Sequence, residues 1–133
     1  MADRAARAAE RLAARKARGA AARISGRRQE FIAALLLMAK GYRILGFRLK
    51  TPEGEIDLLA QRGDTLAVVE VKSRRTLEAA LEAVGPTQRQ RLKRAARAIA
   101  ARRPTRPNVR LDLVALAPGA WPRHIPDAWR EDS

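Results

Sequence analysis

The strongest constraint in this chain is a pair of alternating aliphatic runs separated by a tight turn. Residues 55–61 read Glu-Ile-Asp-Leu-Leu-Ala-Gln and residues 65–73 read Thr-Leu-Ala-Val-Val-Glu-Val-Lys-Ser, with Arg62-Gly63-Asp64 between them. Gly63 offers the positive φ that a short hairpin loop needs. A hairpin centred between residues 63 and 64 pairs positions whose numbers sum to 127, so Asp57 falls opposite Glu70 and Glu55 opposite Lys72. The two-residue period puts these four side chains on one face. Ile56, Leu58 and Ala60 with Ala67, Val69 and Val71 then fill the other face, which is wholly apolar.

The flanking elements follow from their punctuation. Ser25 as N-cap and Gly41 as stop predict a helix over 26–40, with Phe31, Ile32, Leu35, Leu36 and Met38 as its buried face. A strand over 42–49 ends at Thr51-Pro52-Glu53-Gly54, a turn sequence. Gly85-Pro86 opens a second helix over 86–103, whose narrow apolar stripe is Leu92, Ala95, Ala96 and Ile99. Residues 109–117 form a fourth strand and 127–132 a terminal turn. The order α-β-β-β-α-β predicts an α/β fold, in which an antiparallel meander is joined by a helical crossover to a parallel strand.

A chain of 133 residues suits one core. We expect a single domain over 25–133 and a basic, flexible arm over 1–24, where only Leu12 and Ile24 could anchor a helix. An organelle transit peptide shares the arm's arginine content, but Asp3, Glu10 and the missing apolar stripe speak against one. Without cysteine there are no disulfides, thiolate metal sites or cysteine nucleophiles. No apolar run is long enough to span a bilayer, so the expectation is a cytoplasmic protein with no membrane partner.

The net charge of +14 is unevenly placed: +7 over 1–28, zero over 29–87, +9 over 88–110 and −2 over 111–133. Two cationic stretches around a neutral centre favour a polyanion, because neutralised phosphates release counterions. Abundant arginine beside 28 alanines also fits simple genome composition. Within the second helix, Arg89, Arg91, Lys93, Arg94 and Arg97 surround more than one face, as expected for contact with phosphates rather than with base edges.

Two carboxylates facing each other across a hairpin repel unless a cation joins them. Mg²⁺ or Mn²⁺ would satisfy Asp57 and Glu70 while keeping waters, and with Lys72 this is a set suited to phosphodiester hydrolysis. The competing reading is a solvated face with Glu55–Lys72 as an ordinary ion pair.

Gly54-Glu55-Ile56-Asp57-Leu58-Leu59-Ala60, followed by Val68-Val69-Glu70-Val71-Lys72-Ser73-Arg74, resembles the signature of the YraN family, and the similarity extends over about Gly26 to Trp129. That family is classed among predicted bacterial endonucleases of the restriction-endonuclease-like PD-(D/E)xK superfamily. The resemblance implies a restriction-endonuclease-like α-β-β-β-α-β core with a mixed sheet flanked by helices. It implies Asp57 and Glu70 as metal ligands, Lys72 as the catalytic lysine and Glu30 as a supporting acidic residue. The implied function is a nucleic-acid-binding, Mg²⁺- or Mn²⁺-dependent endonuclease acting on branched or repair DNA, with DNA ahead of RNA and a dimer left open. Asp57 follows Ile rather than the superfamily's Pro, and Gly46-Phe47 stands where many members carry a polar residue.

Each assignment has a rival. A non-catalytic adaptor that keeps the fold would use its charge for docking alone. Glu30 could simply favour the dipole of an early helical turn. Asp112 is read as partner to a nearby arginine, His124 as structural or exposed, and Trp121 and Trp129 as covers for the core's end.

Overall fold

The structure is a computed structural model that describes residues 2–130, with side chains described for 4–15 and 26–130. Its elements run α1 (Ala2–Ala39), β1 (Arg43–Thr51), β2 (Gly54–Arg62), β3 (Thr65–Ser73), α2 (Leu77–Glu82), α3 (Pro86–Ala101), β4 (Asn108–Leu116) and β5 (Arg123–Ile125). The hairpin register is the expected one: Leu58 pairs with Val69, Ala60 with Ala67 and Arg62 with Thr65, around Gly63 at φ +57°. β1 and β2 are antiparallel, β3 and β4 parallel, and β5 returns antiparallel to β4, giving an open mixed sheet in the order β1-β2-β3-β4-β5. No helix among the described residues is long and apolar enough to cross a membrane.

The parallel β3–β4 step dictates the layering, since the chain must cross over one face of the sheet between them. α2 and α3 make that crossover. Ala80, Val84, Leu92, Ala95, Ala96 and Ala100 pack on Leu59, Leu66, Val68, Leu111 and Leu113. α1 covers the other face with Ala33, Ala34 and Leu37 against Leu58, Ala60, Ala67, Val69, Val71 and Val114. Thr76 caps α2 by accepting from the Ala79 N–H.

Four expectations change. The face that carries Asp57 and Glu70 is not a solvated one, because the same strands turn Leu59, Leu66 and Val68 into the α3-side core. Ile56 joins that core and not the cluster of Leu58 and Ala60. The alternation breaks around Asp57, beside Arg48 on β1, whose φ of +51° is rare for a side chain of this size. Helix α1 begins at Ala2 and passes through Ser25 without a stop, as its alanine and arginine propensity allows.

The fourth change concerns the buried side of α1. Ala33, Ala34 and Leu37 are 0–3% exposed, whereas Phe31, Leu35 and Met38, expected inside, are 60%, 49% and 55% exposed. Small side chains let the helix axis sit close to the sheet, so alanine rather than phenylalanine takes the inner face. Leu37→Ala should therefore cost about 2–5 kcal/mol in urea unfolding, while Leu35→Ala should stay within roughly 0.5 kcal/mol. The reverse order would put the other helix face inward.

Candidate active site

The carboxylate pair lies where two strands part. Paired residues of β2 and β3 end at Leu58–Val69, although β2 extends back to Gly54 and β3 on to Ser73 beside β4. At this fork Asp57 replaces a strand: its Oδ2 accepts the Val71 N–H at 3.0 Å. Asp57 and Glu70 thus meet as the register expected, through side chains rather than through a continued ladder.

Glu70 is 2% exposed, and its Oε1 is buried with no hydrogen-bond partner. Burial, then the neighbouring Asp57 charge, pushes its pKa from 4.5 up to about 8, against the opposing pull of Lys72. The carboxyl is therefore mainly protonated at neutral pH, a low-dielectric response to two acids in one place. Glu55 does not join them. It is exposed and sits opposite Lys50 on β1, so the expected Glu55–Lys72 pairing is absent from the register.

Glu30 is also engaged elsewhere. Both of its oxygens accept from Arg48 Nε, at 2.8 and 3.1 Å. Arg48 was missed by the sequence reading, since nothing in the local pattern marks a left-handed arginine. Glu30 stands far from the N-terminus of α1, so the helix-dipole reading of it lapses.

Asp112 heads a second polar cluster, on the α1 side of β4. Arg110 Nε and one terminal nitrogen each donate to it at 2.8 Å, His124 Nε2 lies at 2.8 Å and the Asp127 N–H at 2.9 Å. Burial pushes this carboxyl up, but the His124, Arg110 and Asp127 hydrogen bonds prevail and hold it below the usual range. Arg110 also donates to the Tyr42 hydroxyl, and Lys40 Nζ meets His124 Nδ1. Lys40 has only donors, so Nδ1 accepts and Nε2–H donates to Asp112. Both Asp112 oxygens and both His124 ring nitrogens are thus engaged within the protein, as in a structural network.

On α3, Arg91, Arg94 and Arg97 are exposed and Lys93 is half-buried. Arg89 turns inward, donating to the Val84 carbonyl at 2.6 Å and lying 5.8 Å from the Trp129 ring centre. The exposed arginines make one cationic face, narrower than the sequence suggested. Trp129 closes the core as expected, with Nε1–H donating to the Leu81 carbonyl, while Trp121 is 89% exposed.

Among the described residues, no three His, Asp or Glu side chains gather into a group able to hold a metal ion. The donor chemistry of Asp57 and Glu70 is nevertheless of the kind a divalent cation takes. They offer adjacent carboxyls, and the orphaned Glu70 Oε1 is an acceptor in search of a partner. Mg²⁺ commonly takes one or two carboxylates and completes its shell with water.

The fold and fork define a small α/β protein with a half-buried and a buried carboxyl paired at the end of a hairpin, and its sequence relatives identify the group. Residues 29–116 match the model of "Uncharacterised protein family UPF0102", and the chain belongs to that family, the YraN-type family its motifs resemble. A UPF0102 protein of Caulobacter vibrioides is 69% identical over 117 residues, covering 86% of this chain and 94% of that protein. The UPF0102 protein of Parvibaculum lavamentivorans is 52% identical over 123 residues, covering 89% and 92%. That of Rhizobium meliloti is 49% identical over 102 residues, covering 75% and 84%.

A carboxyl whose folded pKa is raised contributes stability below its unfolded value of 4.5, and that contribution is lost as pH climbs through about 8. Glu70→Gln removes the titration and keeps the shape. Its melting temperature should match wild type near about pH 5 and exceed it by several degrees near about pH 8.5. A constant difference across that range would mean that Glu70 is solvated.

Proposed function

We propose that this protein binds nucleic acid and acts as a Mg²⁺- or Mn²⁺-dependent endonuclease of the restriction-endonuclease-like, PD-(D/E)xK type. The observation that carries this reading is the Asp57–Glu70 pair at the β2–β3 fork, within the electrostatic reach of Lys72. The mixed sheet with α1 on one face and the α2–α3 crossover on the other supports it. Duplex DNA, branched or nicked, is the favoured substrate, approached by the Arg91, Arg94 and Arg97 face of α3 with Lys93 at its border.

Asp57 and Glu70 would hold the divalent ion. When bound, the ion supplies Lewis acidity and a water of lowered pKa. Asp57 is locked in place by the Val71 N–H, which fixes where its free oxygen is presented. Glu70 must give up its proton before it can ligate. Lys72 carries the positive charge that meets negative charge developing on the phosphate, or orients the attacking water. Glu30 acts indirectly, by tying the Arg48 side chain of β1 to α1.

A non-catalytic adaptor with the same fold is favoured by one specific observation: Glu30 is committed to Arg48 and leaves the acidic pair without a third carboxylate. Cleavage of branched, nicked and single-stranded DNA in Mn²⁺ separates the readings. Asp57→Ala, Glu70→Ala and Lys72→Ala should each lose about 100-fold or more in rate, and equal cleavage by these variants would remove the assignment. Calorimetry should show Mn²⁺ binding that tightens by about tenfold per pH unit from about 6 to 8, with release of one proton. No millimolar binding alongside tight DNA binding would leave the adaptor.

A further inference from the structure

Outside the fork, the least explained feature is the first half of α1. The family match begins at residue 29, so this segment is not part of what the family model describes. All described side chains over 4–15 are exposed. Arg4, Arg7 and Arg11 line one shallow cleft of about 260 Å³, and their spacing of three and four continues to Arg15. At 100° per residue the four arginines fall within an arc of about 80°, and their Cα atoms span about 17 Å along the axis.

Such a row gathers like charges on one side of the helix, in a segment whose acidic residues are Asp3 and Glu10. Like charges three and four residues apart repel along the helix surface. The rest of the segment offers little to bury, since Leu12 is its single large apolar side chain and is 51% exposed. A lipid surface needs an apolar face to insert, and a protein interface needs an apolar centre. What remains is a row of four guanidinium groups on an alanine-rich helix, in excess of the two carboxylates Asp3 and Glu10. Its complement is a straight line of anions, which relieves the repulsion and asks for no apolar contact. Arg91, Arg94 and Arg97 on α3 repeat the pattern.

From this arrangement we infer that Arg4, Arg7, Arg11 and Arg15 form a second phosphate-contacting row, which tracks one strand of duplex DNA beyond the footprint of the α/β domain. The inference rests on the nucleic-acid reading above but not on catalysis. α1 is one continuous helix from this row to Leu37 in the core, so the row projects from the same element that covers the sheet.

The test uses the full chain and a random-sequence DNA duplex, titrated between about 50 and 200 mM salt. Each phosphate contact contributes about 0.9 to the slope of log affinity against log salt. The variant carrying Arg4→Gln, Arg7→Gln, Arg11→Gln and Arg15→Gln should bind more weakly, with a slope shallower by about 2 to 4. The four Arg→Lys changes should leave the slope as in wild type. Circular dichroism of both variants checks that the helix persists. A wild-type slope in the Gln variant overturns the row while duplex binding by the wild type keeps the nucleic-acid reading. Failure of the wild type to bind duplex at low salt overturns both. Vesicles of phosphatidylserine that bind the wild type more tightly than DNA, and lose this in the Gln variant, reassign the row to membranes and overturn it.

Discussion

A single hydrogen bond, from the Val71 N–H to Asp57 Oδ2, marks the constraint on which this architecture turns. β3 stops pairing with β2 past Leu58–Val69 but keeps its parallel pairing with β4 to Ser73. Where the two strands part, a backbone N–H is left buried, and a buried donor without a partner is costly. Asp57 supplies the acceptor. Its carboxyl is thereby held beside Glu70, whose own oxygen lies buried and unpaired. The geometry that ends one strand pairing creates the acidic site.

The crossover gives the pair its unusual environment. Because β3 and β4 are parallel, α2 and α3 lie over the face onto which Glu70 projects, and Glu70 is left 2% exposed. An open antiparallel hairpin with the same residues would leave Glu70 hydrated and ionised. The raised affinity of Glu70 for its proton is thus a property of topology as much as of the neighbouring Asp57.

Much of this was legible in the chain. The turn at Gly63 and the alternation on either side fixed the register, because both are local and agree with each other. The meeting of Asp57 with Glu70 followed from that register. The burial of Glu70 did not, since it depends on helices far along the sequence. The inner face of α1 was misread because size and hydrophobicity favour Phe31 and Met38, whereas close approach to a sheet favours Ala33 and Ala34. Arg48 was invisible because its importance lies in a backbone angle and in a partner eighteen residues away. The His124–Asp112–Arg110 cluster was half legible: the arginine is two residues from the aspartate, but the histidine arrives on β5.

The two borders of the sheet are unequal. β5, with three residues, shields only part of β4, while β1 leaves nine residues along an open margin. A long uncovered margin invites another chain to extend the sheet. Here a register shift between Ile44 and Gly46, and the left-handed Arg48, deform that margin, while Arg43, Arg48 and Lys50 charge it. The irregularity at Arg48, which also pairs with Glu30, is the kind of edge feature that disfavours ribbon-like strand addition.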